Sequence, residues 1–194
     1  MLNTATRASD VTASGASDLI TVRLAPATRV QYMPDANATK GADGGLTYRM
    51  RGMIFDPPCE LLPNGPDQAA PSPLVELRKA IALAVKGDWN AYRQMFDPKC
   101  EATLQDFFGH PEVMQAMAKQ YAMMKSIKAQ FGVYQGDILL VVCTLEAPPM
   151  PAGCSPYGLE KMPSGWVLYA LHATDPLVPN IMLGTQAKAI TVSK

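Results

Sequence analysis

The sequence lacks an excess of either charge. Among its 194 residues, Lys plus Arg and Asp plus Glu each number 17, so the formal net charge is zero. Proteins that bind nucleic acids or anionic membrane surfaces through electrostatics carry a basic excess. The charge balance therefore predicts that nucleic acid is not a partner of this chain.

Long apolar runs are also lacking. The longest of them, such as residues 138–145, fall far short of the roughly 20 residues that a helix needs to cross a bilayer. Residues 1–18 are rich in Thr, Ala and Ser and have neither the basic start nor the apolar stretch of a signal peptide. We expect no membrane span and a flexible leader over residues 1–18. The location is then cytoplasmic, or periplasmic if an export signal has been removed.

Metal-binding residues are few. There are two histidines and four cysteines, and no cysteine pair has the CxxC spacing of a zinc site. We therefore predict no metal and no cofactor. The even number of cysteines fits either four free thiols or, in an oxidising compartment, a disulfide between Cys143 and Cys154 or between Cys59 and Cys100.

What the sequence does contain begins with alternating apolar and polar residues over residues 19–56. Ile20 and Val22 alternate with polar neighbours, and so do Tyr48 and Met50, after a stretch rich in Gly, Asp and Asn. This pattern predicts an N-terminal β-hairpin with a long loop. Residues 57–72 carry five prolines and are predicted to be a linker, because so many prolines exclude helix and central strand.

Three helices are predicted between Ser72 and Lys125. The first has Ser72 as its cap and Gly87 just beyond its end. Asp88 is placed to cap a short second helix, and a third begins at His110, which precedes a proline. Methionines and a tyrosine form the apolar stripe of this third helix.

The rest of the chain is typical of antiparallel strands. Residues 127–135 alternate, and residues 138–145 and 167–171 are apolar on both faces. The predicted apolar face of the first strand consists of Ile127, Ala129, Phe131 and Val133. Helices followed by a meandering sheet indicate an α+β domain over residues 73–194. We expect helices on one sheet face and either the hairpin or a second copy of the chain, as a homodimer, on the other.

One stretch resembles a known superfamily. Residues 77–98, LRKAIALAVKGDWNAYRQMFDP, are similar to the opening helices of the nuclear transport factor two-like superfamily, which includes ketosteroid isomerase-like and cystatin-like folds. The residues that match its cadence are Gly87, Asp88, Trp89, Tyr92, Phe96 and Asp97. The resemblance spans about residues 73–192. It implies three N-terminal helices packed as a cone on a curved antiparallel sheet, here preceded by the extra hairpin, with a pocket inside the cone.

Members of that superfamily are isomerases, dehydratases and cyclases, or non-catalytic binding and assembly modules. No catalytic motif of the enzymes can be carried over to this sequence. A pocket inside the cone is predicted to be lined by Tyr92, Met117, Tyr121, Trp166 and His172. As a small lyase or isomerase, the protein would use His172, or Asp175 close by, as general acid or base.

The other functional hypothesis is a non-catalytic module that binds a protein partner or an apolar small molecule, in envelope, secretion or immunity assemblies. Residues 146–165 contain five prolines and are predicted to be a long loop, a kind of segment that often contacts partners. Its apolar anchors would be Met150, Tyr157, Leu159 and Met162. We favour this binding hypothesis over the enzyme.

Overall fold

The computed structural model describes residues 18–24, 38–63, 70, 72–171 and 190–193. Sheet strands precede and follow a block of short helices. The strands are β1 (Asp18–Leu24), β2 (Ala38–Lys40), β3 (Leu46–Glu60), β4 (Ser126–Gln135), β5 (Ile138–Glu146), β6 (Gly153–Met162), β7 (Gly165–Tyr169) and β8 (Ile190–Ser193). The helices in these ranges are α1 (Ser72–Lys86), α2 (Trp89–Arg93), α3 (Glu101–Phe108) and α4 (Pro111–Met123), and Pro98–Cys100 forms a 3₁₀ turn.

One antiparallel sheet, with eight strands among the described residues, dominates the structure. Its order is β7-β6-β5-β4-β3-β1-β8, and β2 pairs with β3. The predicted fold, three N-terminal helices on a curved sheet with a separate hairpin in front, was therefore wrong. Strands β1 and β3 belong to the same sheet as β4, because the 15-residue β3 pairs with β1 along its first part and with β4 along its second. The helices follow these first strands in the chain.

Strand β3 continues through two prolines that were predicted to begin a linker. Its register against β4 shifts between Ile54 and Cys59, which means that Pro57 and Pro58 lie where the ladder is interrupted. Proline has no N–H to donate, and so it is tolerated in a strand at such an irregularity. Beyond it, Cys59 pairs with Ala129 and the strand ends at Glu60.

Local signals gave the helix ends more reliably than the sheet. Helix α1 begins at Ser72 and ends at Lys86, and Gly87 follows with a φ of 71°. Asp88 caps α2 by accepting a hydrogen bond from the Ala91 N–H at 3.1 Å. Helix α3 was not predicted, although α4 starts at Pro111 as expected. No helix in the described part of the chain is long and apolar enough to cross a membrane.

The segment predicted to be a long loop contains a strand. Residues 153–162 form β6, which pairs with β5 on one side and β7 on the other. Pro156 lies opposite Val142, and Leu159 lies between Leu139 and Leu168. The prediction of an unstructured connection was therefore wrong. The prediction took the prolines to exclude a strand, but β6 pairs with β5 and with β7 despite Pro156.

The sheet buries apolar residues on both faces, and a β-bulge in β4 exchanges them. Ala129 pairs with Cys143 but Phe131 pairs with Val142, which leaves Gln130 as the extra residue. Ile127 and Ala129 therefore pack in the helix-side cluster with Cys143, whereas Phe131 packs in the opposite cluster with Val142. The predicted single face of β4 was wrong because one extra residue inverts the alternation.

The opposite cluster contains residues from the N-terminal strands. Ile20 and Val22 of β1 and Val133 of β4 are each 0% exposed. Residues 19–55 contribute Ile20, Val22 and Tyr48 to this cluster, as strands of the same sheet rather than as a separate layer. These side chains are already buried in the single chain, so they offer no apolar patch to a second copy. A homodimer stays a prediction.

A buried carboxylate ties β3 to β4. The Glu60 residue is 7% exposed, and its Oε1 accepts the N–H groups of Leu61 and Leu62 at 3.1 Å and of Ile127 at 3.0 Å. Its Oε2 accepts the Ser126 hydroxyl at 2.7 Å. Burial by itself raises the pKa of Glu60, but these four hydrogen bonds outweigh it and hold the pKa below its ordinary value.

None of the four cysteines, all of which lie in the described part of the chain, forms a disulfide bond. Cys143 lies in the helix-side cluster, whereas Cys154 packs against the opposite cluster. Their side chains thus lie on different faces of the sheet. Cys100 ends the 3₁₀ turn between α2 and α3, and its sulfur accepts the Ala170 N–H at 3.3 Å.

Candidate functional site

A cavity of about 420 Å³ lies between helices α2–α4 and the strands β5–β7. Its volume is within the range of about 300–1,000 Å³ found for small-molecule sites. We call it the tyrosine cavity. It is lined by Tyr92, Phe96, Phe107, Met117, Gln120, Tyr121, Met124, Leu145, Ser155, Pro156, Tyr157, Gly158, Leu168, Tyr169, Ala170 and Leu171.

Helix α4 provides one wall through its periodicity. Met117, Gln120, Tyr121 and Met124 follow the i, i+3, i+4, i+7 spacing that places side chains on one helix face. The sequence had predicted the stripe that contains Met117 and Tyr121, together with other methionines. In the structure, this stripe borders empty volume rather than only packed core.

Strand β6 provides the opposite wall. Ser155 and Tyr157 are two residues apart, so both project to the same side of the sheet. Gly158 also lines the cavity, and a Cβ added there would lie 2.6 Å from the Tyr169 carbonyl oxygen. Glycine is therefore needed for β6 to approach β7 this closely at the edge of the cavity.

The cavity has a buried floor and an exposed edge. Tyr92, Tyr121 and Leu168 are 6%, 8% and 2% exposed. Phe107 of α3 is 38% exposed and Gln120 of α4 is also exposed, so the cavity is open to solvent beside these two helices.

Two tyrosine hydroxyls meet in the wall of the cavity. The hydroxyl oxygens of Tyr121 and Tyr157 are 3.3 Å apart, and either can be the donor. Burial raises the pKa of Tyr121 against the opposing effect of this hydrogen bond, and burial raises the pKa of Tyr157 well above its ordinary value. Burial likewise raises the pKa of Tyr92 far above the ordinary range. All three phenols are therefore neutral at physiological pH.

Tyr92 is held in place by edge-to-face aromatic packing. Its ring centroid lies 5.8 Å from Trp89, 5.3 Å from Phe96 and 6.1 Å from Phe108, with interplanar angles of 86°, 73° and 62°. Each such pair adds about 0.5–1.5 kcal/mol beyond the area that it buries. The floor of the cavity is consequently a rigid aromatic cluster.

The described lining contains no carboxylate, imidazole, amine, guanidinium or thiol. None of its residues is Asp, Glu, His, Lys, Arg or Cys. Across the described part of the chain, no group of three or more His, Cys, Asp or Glu side chains is placed to hold a metal ion. The lining can therefore offer apolar contact and neutral hydrogen bonds, but neither a general base nor a charge partner.

A cluster of charged side chains beside Leu168 is structural. Lys99 Nζ lies 3.4 Å from Asp97 Oδ2 and 3.1 Å from Glu160 Oε1. Asp97 is 1% exposed, and the hydrogen bond from the Lys99 N–H holds its pKa below the ordinary value. The Asp97 N–H also donates to the Leu168 carbonyl at 2.8 Å. This cluster fastens the chain after α2 onto the edge of β7, next to Leu168 in the cavity wall.

The predicted pocket residues separate into three groups. Tyr92, Met117 and Tyr121 line the tyrosine cavity, and they come from two different helices. Trp166 is not part of the lining; its ring packs against the Lys161 ammonium, 5.2 Å from the ring centroid. The catalytic candidates His172 and Asp175 lie outside the described residues. The site roles of all these residues stay predictions.

The predicted partner-contacting residues are likewise distributed differently. Met150, in the turn after β5, is 45% exposed, whereas Leu159 is 0% exposed and cannot contact a partner. Tyr157 lines the tyrosine cavity, and Met162 is half-buried at the end of β6. Tyr157 was missed as a pocket residue because its segment was interpreted as a loop. The alternation of Tyr157 and Leu159 was the available signal.

Comparisons of the chain with protein families, curated proteins and solved structures found no match. The resemblance to the nuclear transport factor two-like superfamily therefore stays a prediction.

Proposed function

We propose that this protein is a non-catalytic binding module that takes up a neutral, largely apolar small molecule in the tyrosine cavity. Support comes from its volume of about 420 Å³ and from walls of aromatic, methionine and leucine side chains with a few polar groups. Concave apolar walls with a small number of placed hydrogen-bonding groups are the usual composition of ligand sites.

The observation that carries this proposal is the neutrality of the described lining. Moving a charged ligand into a site without a counter-charge costs several kcal/mol or more, which disfavours carboxylates, phosphates and amines. Proton transfer would need a group that titrates near neutral pH, and burial moves the pKa values of Tyr121 and Tyr157 upward, away from that range. The lyase or isomerase alternative relied on His172 and Asp175, and nothing in the described lining replaces them.

The small molecule is a better proposal than the protein partner. The protein-contact hypothesis rested on a long loop, and most of that segment is the paired strand β6. Leu159 is buried beneath the helices, and Tyr157 faces the cavity. Two of the four intended anchors thus support the cavity instead of an external contact.

Blocking the cavity should abolish binding. The probe is N-phenyl-1-naphthylamine, a neutral dye whose fluorescence increases in apolar sites. The wild-type protein is expected to bind it, and Met117→Trp is expected to weaken binding by about tenfold or more because the indole fills space on the cavity wall. Fluorescence titration measures both.

Met123→Trp is the matched control. Met123 is on the same helix but is 46% exposed and does not line the cavity. The control should bind the dye as the wild type does. The proposal fails if the wild type does not bind the dye, or if Met117→Trp and Met123→Trp bind it equally well.

A further inference from the structure

We infer that the molecule bound in the tyrosine cavity carries a neutral hydrogen-bond acceptor, such as a ketone or amide carbonyl, which sits on the paired hydroxyls of Tyr121 and Tyr157. This inference rests on the proposed function and goes further, because it names the chemical class of the ligand and the part of the cavity that recognises it.

The tyrosine pair has more O–H donors than its shared hydrogen bond uses. Two phenols have two O–H donors, and the hydrogen bond of 3.3 Å between Tyr121 and Tyr157 uses only one of them. Among the described residues, neither hydroxyl has a second hydrogen-bond partner. One donor of the pair is therefore unused whichever way the shared bond points. A donor left unpaired in a buried site costs about 1–3 kcal/mol, so an acceptor on the ligand is favoured there.

The described lining favours a neutral acceptor over an anionic one. An anion would accept from the same O–H, but the described lining has no Lys, Arg or His to balance its charge. A ligand with only donor groups would leave the spare O–H unpaired. A carbonyl oxygen is neutral, has two lone pairs and needs no proton from its surroundings. It satisfies the pair without burying a charge.

The walls around the pair fit such a ligand. Tyr121 is 8% exposed, and Met117, Met124 and Leu145 also line the cavity and provide apolar contact. The expected ligand therefore places its carbonyl on the tyrosine pair and an apolar, ring-sized body against these walls.

The test compares two probes of equal shape. 2-Acetylnaphthalene has a carbonyl where 2-isopropenylnaphthalene has a C=CH₂ group, and each is measured by displacement of the naphthylamine dye. Replacing both tyrosines, Tyr121→Phe with Tyr157→Phe, should weaken ketone binding about five- to tenfold, the usual effect of one hydrogen bond. Binding of the alkene should change less than about twofold, because it uses no hydrogen bond.

The proton count also predicts how the single variants behave. Tyr121→Phe alone removes the shared bond and one donor, so the remaining Tyr157 O–H is still free to donate to the ligand, and the reverse holds for Tyr157→Phe. Each single variant should therefore lose much less ketone affinity than the double variant. Tyr169→Phe is the control, since Tyr169 lines the cavity outside the pair; it should not distinguish the two probes.

A vibrational measurement tests the same contact without any substitution. The carbonyl stretch of 2-acetylnaphthalene bound to the wild type should lie at lower frequency than in hexane, as a hydrogen-bonded ketone does, and should return toward the hexane value in the double variant. If ketone and alkene bind but the double variant weakens both equally and the stretch matches hexane, this inference is wrong while the proposed function stands. If neither probe displaces the dye and the dye itself does not bind, the proposed function fails first.

Discussion

Glu60 and the tyrosine pair are both polar groups in the interior, yet they differ in how their hydrogen bonds are used. Glu60 accepts three N–H groups and one hydroxyl at 2.7–3.1 Å, all from residues of the same fold. Tyr121 and Tyr157 share one longer contact of 3.3 Å and keep one donor unused. The hydrogen bonds of Glu60 are all made within the protein, whereas the tyrosine pair can still donate one hydrogen bond to a bound molecule.

This difference separates structural polar groups from binding groups. Buried polar atoms in folded proteins are nearly always hydrogen-bonded, and both sites follow this rule, but the tyrosine pair has one O–H donor more than its shared bond uses. Glu60 joins the end of β3 to the start of β4, the two strands that flank the helices in the chain. The tyrosines instead border empty volume. Removing Glu60 should therefore affect stability, and removing the tyrosine hydroxyls should affect ligand binding.

The largest expected effect is that of Glu60→Ala. It leaves three backbone N–H groups and the Ser126 hydroxyl without their acceptor, and should lower the free energy of unfolding by about 3 kcal/mol. Glu60→Gln should cost only about 1 kcal/mol, because the amide oxygen can keep the N–H groups while its NH₂ donates to Ser126. Urea unfolding measures both. Glu146→Ala, at an exposed position on β5, is the control. If Glu60→Ala lowers the free energy of unfolding no more than this control does, the hydrogen bonds of Glu60 do not stabilise the fold.

A smaller effect is expected from pH. The pKa of Glu60 is lower in the folded protein than its ordinary value of 4.5, so its stabilisation is complete above about that pH and is lost as the pH falls through the folded pKa. The stability advantage of the wild type over Glu60→Gln should therefore shrink between pH 7 and about pH 3. Urea unfolding at both pH values tests this. An advantage that is constant, or that increases in acid, would show that the Glu60 charge is not what its hydrogen bonds stabilise.

The smallest expected effect is that of Tyr157→Phe on stability. The hydroxyl has only the 3.3 Å contact with Tyr121, and its loss should change the free energy of unfolding by about 0.5 kcal/mol or less. The same urea measurement, without ligand, applies. A loss close to that of Glu60→Ala would mean that the hydroxyl pair is structural, and the contrast between the two sites would disappear.

Sequence patterns anticipated part of the cavity. Met117 and Tyr121 follow helical spacing within α4, and Tyr92 lies in the short helix that Asp88 caps. The pairing of Tyr121 with Tyr157 joins residues 36 positions apart and depends on β6, a strand that the sequence pattern did not predict. Glu60 was also missed, because its donors come both from its own neighbours and from residues 66 and 67 positions away.

The sequence by itself determined the features that depend on neighbours a few residues away. These are the start of α1 at Ser72, its end before Gly87, the cap at Asp88 and the start of α4 at Pro111, since caps and φ preferences act within one helical turn. Only the tertiary structure decided which strands share a sheet, which face each β4 residue occupies, and that a proline-containing segment is a central strand. These depend on partners distant in sequence: one extra residue at Gln130 inverts a face, and β6 is stabilised by β5 and β7 rather than by its own composition.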